Sequence, residues 1–313
     1  MDRFLVKVLT RISHGGEQTC RDGGLIRRHI AGMTPFTDRT GRFSPLKTAT
    51  LIGLAAPAAY LVIRLLANDL GPLPIKEALL VSGLWTVRFL VLTLVLTPAM
   101  RIASWPKLAL IRRMTGVAAF AYGSLHVTLF VANSKFDLLF VATEIVSRFY
   151  LTIGFAALTG LSLLAATSTD GAVRALGKRW KQLHRLVYGI AMLGIWHFFL
   201  QSKIDVTEAT LMAGLFLLLM IYRLAISRRL RLSLPLLAGC ALAAAGVTAV
   251  AEFAWYGLGT GVDPWRVAAA NLKLAYGLRP AVAVLAIGLV ISTLPVLRGI
   301  TMKLMGTPRL RTA

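Results

Sequence analysis

The stretch Gly177–Phe199, GKRWKQLHRLVYGIAMLGIWHFF, passes from a basic loop into an apolar helix, with His184 near its start and His197 near its far end. Thirteen positions separate the two histidines, roughly 20 Å at about 1.5 Å of helical rise per residue. That is most of the thickness of a bilayer's hydrocarbon core, about 30 Å. An imidazole is costly to bury without a partner, and it is a good ligand for metals. Of the five histidines in the chain, only His126, His184 and His197 lie in or beside apolar runs. His14 and His29 sit among polar residues near the N-terminus and read as surface histidines.

Working outward, the 313 residues are 57% hydrophobic, with a mean hydropathy of +0.71. Soluble domains lie nearer 45–50% apolar, so the chain falls in the membrane class. Eight apolar spans are expected at 49–67, 82–100, 114–132, 149–167, 185–201, 209–226, 233–255 and 280–297. None alternates with a period of two, which excludes a β-barrel. The fold expected is all-α, a polytopic transmembrane helix bundle of about eight spans. The 48 residues before the first span carry no apolar core soon after Met1 and do not read as a secretory signal. Cys20 and Cys240 suggest neither a disulfide framework nor a thiolate metal site.

The net charge of +22 is distributed by topology. The N-terminal tail and alternate loops, with Arg185 beside them, hold 25 Lys and Arg; the opposite loops hold seven. Positive-inside then places both termini in the cytoplasm, and anionic lipid accounts for the basic balance better than nucleic acid does. With this orientation the third and fifth spans both run outward. His126 and His197 are expected at a common depth in the outer half, and His184 at the cytoplasmic surface. Two imidazoles on separate helices at one depth are the arrangement that holds a six-coordinate b-type haem. The alternative is two buried histidines bonded to backbone carbonyls or to each other.

His184 reads either as a solvated interfacial histidine or as a ligand to a second, cytoplasmic-side haem. Thirteen steps of about 100° leave His184 and His197 about 140° apart on an ideal helix. Both can serve one bundle interior only if the start of the helix is irregular or if the haems sit on different flanks. Arg88, inside the second span, needs a partner: a haem propionate, the interface reached by snorkelling, or a neighbouring helix. Arg64 and Arg223 lie nearer span ends, where snorkelling suffices. Pro98 and Pro106 are expected to end the second helix. Glu252, near the outer end of the seventh span, has no evident partner. Gly257-Leu258-Gly259-Thr260-Gly261 follows a helix rather than a strand and reads as a turn, not a nucleotide loop.

Several ordered motifs carry a resemblance. They are Leu96-Thr97-Pro98; Arg112-Arg113-Met114-Thr115-Gly116; Ala121-Tyr122-Gly123-Ser124-Leu125-His126; Ser147-Arg148-Phe149-Tyr150-Leu151-Thr152-Ile153-Gly154; Thr167-Ser168-Thr169; and Leu176 through Tyr188, closing on His197. In order and spacing, from about residue 45 to 226, the chain resembles the haem-binding membrane subunits of periplasmic methionine sulfoxide reductase systems. This MsrQ type is a branch of the ferric-reductase-like transmembrane proteins.

The resemblance implies a six-helix haem-binding core at 49–226, preceded by a basic cytoplasmic tail at 1–48. Two further helices and a basic tail, at 227–313, lie outside the shared region. It implies a b-type haem with His126 and His197 as ligands and His184 as the third family histidine. Related two-haem ferric reductases carry a histidine where this chain has Arg112, so the resemblance does not extend to a second haem. The family is also associated with FMN, which no motif here places.

The function implied is electron transfer across a bacterial inner membrane, from quinol or a cytoplasmic flavin reductase. The acceptor would be a periplasmic molybdenum-containing methionine sulfoxide reductase that repairs oxidised proteins. The chain would be an electron-transfer subunit rather than a stand-alone catalyst. With no flavin and nicotinamide domain after the bundle, it is not expected to take hydride from a nicotinamide by itself. Two other functions fit the residues: a ferric or cupric reductase built on the same conduit, and a transporter using the three histidines as proton or metal sites. A transporter predicts internal repeats, and none is seen.

Overall fold

In the computed structural model, residues 36–37, 42–203, 205–271 and 277–304 are described, with side chains to residue 298. His14, His29, Cys20 and most of the N-terminal tail lie outside the described residues. Apart from an isolated bridge between Thr37 and Phe43, the described residues form helices and loops. In chain order the helices are α1 (Pro45–Leu66), α2 (Pro74–Ile102), α3 (Arg112–Asn133), α4 (Leu138–Ser147), α5 (Phe149–Ala166), α6 (Asp170–Leu176) and α7 (Lys178–Leu183). They continue with α8 (Val187–Gln201), α9 (Thr207–Ser227), α10 (Leu234–Gly259), α11 (Pro264–Ala270) and α12 (Pro280–Leu304). Short 3₁₀ turns occupy Pro106–Leu110 and His184–Leu186.

Among the described residues, eight helices are long and apolar enough to cross a membrane, with Lys178–Gln201 counted as one. The chain is thus a multi-pass membrane protein, as its hydropathy requires. Sequence punctuation marks many of the boundaries. Ser44 caps α1 by accepting from the Lys47 N–H, and Pro45 supplies the first turn with a φ already suited to a helix. Asp137 caps α4 in the same way through the Phe140 N–H. Gly177, at φ +51° and ψ −122°, separates α6 from α7 in a conformation that only glycine adopts without strain.

The chain divides into two compact units, residues 1–90 with 110–194 and residues 91–109 with 195–313, so that α2 and α8 each contribute to both. In the first unit, α1 packs on α3, and α3 and α4 pack on α5. Pro57 interrupts α1, and the Tyr122 side chain repairs the damage. Its hydroxyl donates to the Leu54 carbonyl at 2.9 Å and accepts the Ala58 N–H at 2.9 Å. Those two backbone groups are normally each other's helical partners, so the phenol oxygen is inserted into the hydrogen-bond ladder. Without water in the hydrocarbon core, each would otherwise remain unsatisfied. We expect Tyr122→Phe to lower the unfolding free energy in detergent by about 1–3 kcal/mol. A stability equal to wild type would show that the inserted hydroxyl is dispensable.

In the second unit, α9, α10 and α12 pack together around Leu218, Tyr222, Leu237, Ala241, Ala244 and Val284. Small residues permit the close approach. A Cβ built on Gly288 would lie 2.5 Å from the Ala241 Cβ and 3.3 Å from its Cα, so α10 and α12 touch nearly backbone to backbone.

Pro98 does not end the second helix; α2 continues to Ile102. A proline leaves the carbonyl four residues earlier without its N–H donor, and here that carbonyl is Leu94. Arg223 of α9 donates to it at 2.6 Å. Arg223 therefore does more than snorkel: its guanidinium satisfies the carbonyl that Pro98 releases. Pro106, by contrast, opens the 3₁₀ turn after α2. Glu252 is not alone either. It is fully buried, paired with the Arg279 Nη2, and accepts from the Asn271 Nδ2 at 3.1 Å. The glycine-rich stretch at 257–261 begins as the last turn of α10 and bends only after Gly259.

Candidate functional site

Helix α3 buries a stripe formed by Thr115, Ala119 and Tyr122, and His126 continues it one turn further along. Tyr122, tied into α1, thus fixes the height of the helix that carries His126. The His126 Nδ1 lies 2.9 Å from the Leu79 carbonyl of α2. A carbonyl only accepts, so Nδ1 carries the proton and Nε2 carries the lone pair of the neutral ring. Metal-ligating histidines usually donate their other ring N–H to a carbonyl in this way, which orients the ring and raises its basicity. The Ser82 hydroxyl donates to the same Leu79 carbonyl at 2.9 Å, and the Thr86 hydroxyl to the Ser82 carbonyl at 2.9 Å. Arg88, further along α2, holds its guanidinium 5.0 Å over the Trp85 ring.

His184 opens the 3₁₀ turn between α7 and α8, so the start of this span is irregular. Its ring stacks on Trp180 with centroids 3.9 Å apart. The Trp180 Nε1–H donates to the Thr167 carbonyl at the end of α5, at 2.9 Å. The His184 Nδ1 lies 3.2 Å from the Trp180 carbonyl and its Nε2 3.3 Å from the Ser168 hydroxyl. The Ser168 hydroxyl in turn reaches the Leu164 carbonyl at 2.7 Å. Arg112 and Arg113, at the start of α3, lie within electrostatic reach of His184. Arg113 is also ion-paired with Asp170 at 2.6 Å.

The structure therefore brings Arg112 toward His184, and His126 onto α2, within the first unit. Arg88 belongs to the same unit, and His197 lies on α8 in the second. Among the described residues no three or more His, Cys, Asp or Glu side chains gather to enclose a bare metal ion. A porphyrin iron asks only for single axial nitrogens. The carbonyl-oriented His126 fits that role. Sequence reasoning missed the Leu79 carbonyl, because a backbone acceptor leaves no mark in residue type. The Trp180–His184 stack did have a signal, the i, i+4 spacing within a helix.

Residues 82–195 match the family of ferric reductase like transmembrane components. The chain is 40% identical over 196 residues to the protein-methionine-sulfoxide reductase heme-binding subunit MsrQ of Rhodospirillum rubrum, covering 61% of this chain and 92% of that protein. It is 34% identical over 197 residues to the subunit of the same name from Azospira oryzae, covering 62% and 84%. With that from Caulobacter vibrioides the identity is 37% over 198 residues, covering 61% and 94%. No solved structure matches. The fold and the family match together define a ferric-reductase-like transmembrane protein. Within that class, the chain belongs to the MsrQ family of protein-methionine-sulfoxide reductase subunits.

Proposed function

We propose that the chain binds a b-type haem on His126 and His197 and serves as the membrane electron-transfer subunit of a methionine sulfoxide reductase system. The observation that carries this reading is the His126 ring, held inside a membrane helix with its Nδ1–H committed to the Leu79 carbonyl. It is supported by the likeness to subunits named as heme-binding. Haem, when bound, supplies a one-electron relay whose potential the protein sets through ligation and burial. The chain's own residues do the rest. His126 and His197 would hold the haem iron through ring nitrogens, and the Arg88 guanidinium on α2 would suit a propionate.

The charge asymmetry of the loops supports a bacterial inner-membrane location with both termini cytoplasmic. In that orientation the haem ligands lie toward the periplasm, near a periplasmic molybdenum-containing reductase as acceptor. Quinol or a cytoplasmic flavin reductase is the donor. From the cytoplasmic side about 20 Å of helix separates His184 from the level of His197. That distance favours quinol arriving within the bilayer, or FMN or a second haem bound near His184 and Arg112. The family core is taken as 49–226, with 227–313 as an addition to it. A ferric or cupric reductase is the second reading, favoured by the ferric reductase match.

Deleting the gene is expected to leave oxidised methionines unrepaired in periplasmic proteins. Wild type restores repair and His126→Ala does not. Unchanged repair in the deletion strain contradicts the assignment, and a loss of surface ferric reduction instead supports the second reading.

A further inference from the structure

We propose that Gly83 is a positioning residue for His126: its bare backbone is the shelf against which the imidazole ring is set, so that Nε2 is held away from α2. The inference rests on the haem reading above and deepens it. A Cβ built on Gly83 would lie 2.8 Å from both Cε1 and Nδ1 of His126 and 3.6 Å from its Cγ. Carbon–carbon contacts are most favourable near 3.5–4.0 Å, so a methyl group there overlaps the Nδ1–Cε1 edge of the ring.

A flexible side chain would simply swing aside. The His126 ring does not have that freedom, because its Nδ1–H is bonded to the Leu79 carbonyl, one turn before Gly83 on the same face of α2. The carbonyl and the glycine thus act as a pair. One fixes which nitrogen carries the proton; the other fixes how closely the ring lies on the helix. A methyl at position 83 forces a choice between keeping the hydrogen bond and keeping the ring's position. The first outcome moves Nε2, and the second weakens the hydrogen bond to the Leu79 carbonyl that makes it basic.

Glycine is otherwise a poor choice in the interior of a helix. Gly53 of α1 provides the comparison, since a Cβ there meets nothing within 4 Å.

The test uses the full chain in detergent. Wild type, Gly83→Ala, Gly53→Ala, His126→Ala and the Gly83→Ala/His126→Ala pair are purified. Haem per chain, the reduced and ferric optical spectra, and the midpoint potential are recorded. Gly83→Ala is expected to lose haem several-fold, with the remainder showing a high-spin component and a shifted potential; Gly53→Ala matches wild type. Equal occupancy, spectrum and potential in Gly83→Ala and wild type overturn the proposal.

If Gly83→Ala fails to accumulate, the pair decides. Removing the ring removes the overlap, so the pair should accumulate as His126→Ala does, and a pair as poor as Gly83→Ala alone overturns the proposal. A wild type without haem sinks the functional reading instead. The proposal is then read from thermal unfolding, where Gly83→Ala must destabilise the wild-type background but not the His126→Ala background.

Discussion

His126→Ala and His197→Ala are each expected to yield protein stripped of its b-type haem, while His184→Ala keeps it and slows its reduction. Altering a residue that merely orients a metal ligand typically weakens binding by about 10–100-fold. Deleting the ligand itself should cost no less, so occupancy should fall at least about tenfold in both alanine variants. His184 is different because its ring is already engaged in the Trp180 stack and contacts Ser168. Its loss disturbs the segment joining α5 to α8, where a donor-side group would bind, and leaves the His126–Leu79 arrangement intact. Haem extraction and stopped-flow reduction of the three variants check this. Full haem retention in both His126→Ala and His197→Ala would contradict the ligand assignment.

The second large effect is expected at Glu252. This carboxylate is fully buried, whereas the Arg279 side chain is 19% exposed. Removing one partner of a buried pair leaves an uncompensated charge and costs about 3–5 kcal/mol. Glu252→Ala should therefore destabilise the second unit by that amount. Glu252→Ala/Arg279→Ala should recover part of the loss, since no charge is then stranded. Denaturant unfolding in detergent, read as a double-mutant cycle, measures the coupling. A Glu252→Ala protein within about 0.5 kcal/mol of wild type, the range of an unremarkable surface change, would contradict the pairing.

The contrast between these two sites indicates what the chain discloses before it folds. Long apolar runs announce membrane helices because a bilayer asks for length and hydropathy and little else. All eight spans were legible for that reason. Their ends were less so. Helix α2 begins at Pro74, eight residues before the apolar run expected from position 82, since Lys76 and Glu77 in its first turn lower the local hydropathy. Helix α4 is apolar but has only ten residues, too few to be read as a span.

Pro98 reads as a terminator in the sequence because the compensating donor, Arg223, lies 129 positions from the Leu94 carbonyl it satisfies. Glu252 read as isolated for the same reason, with its partners 19 and 27 positions off. The histidines were legible by type and depth. Their settings were not: the Leu79 carbonyl and Gly83 act through backbone position, which residue identity does not encode.

The most direct test of the account is the haem content of the purified wild-type chain, counted by pyridine haemochrome with flavin measured alongside. The account predicts red protein with a reduced b-type spectrum and one haem per chain. Colourless protein with no extractable haem would contradict it.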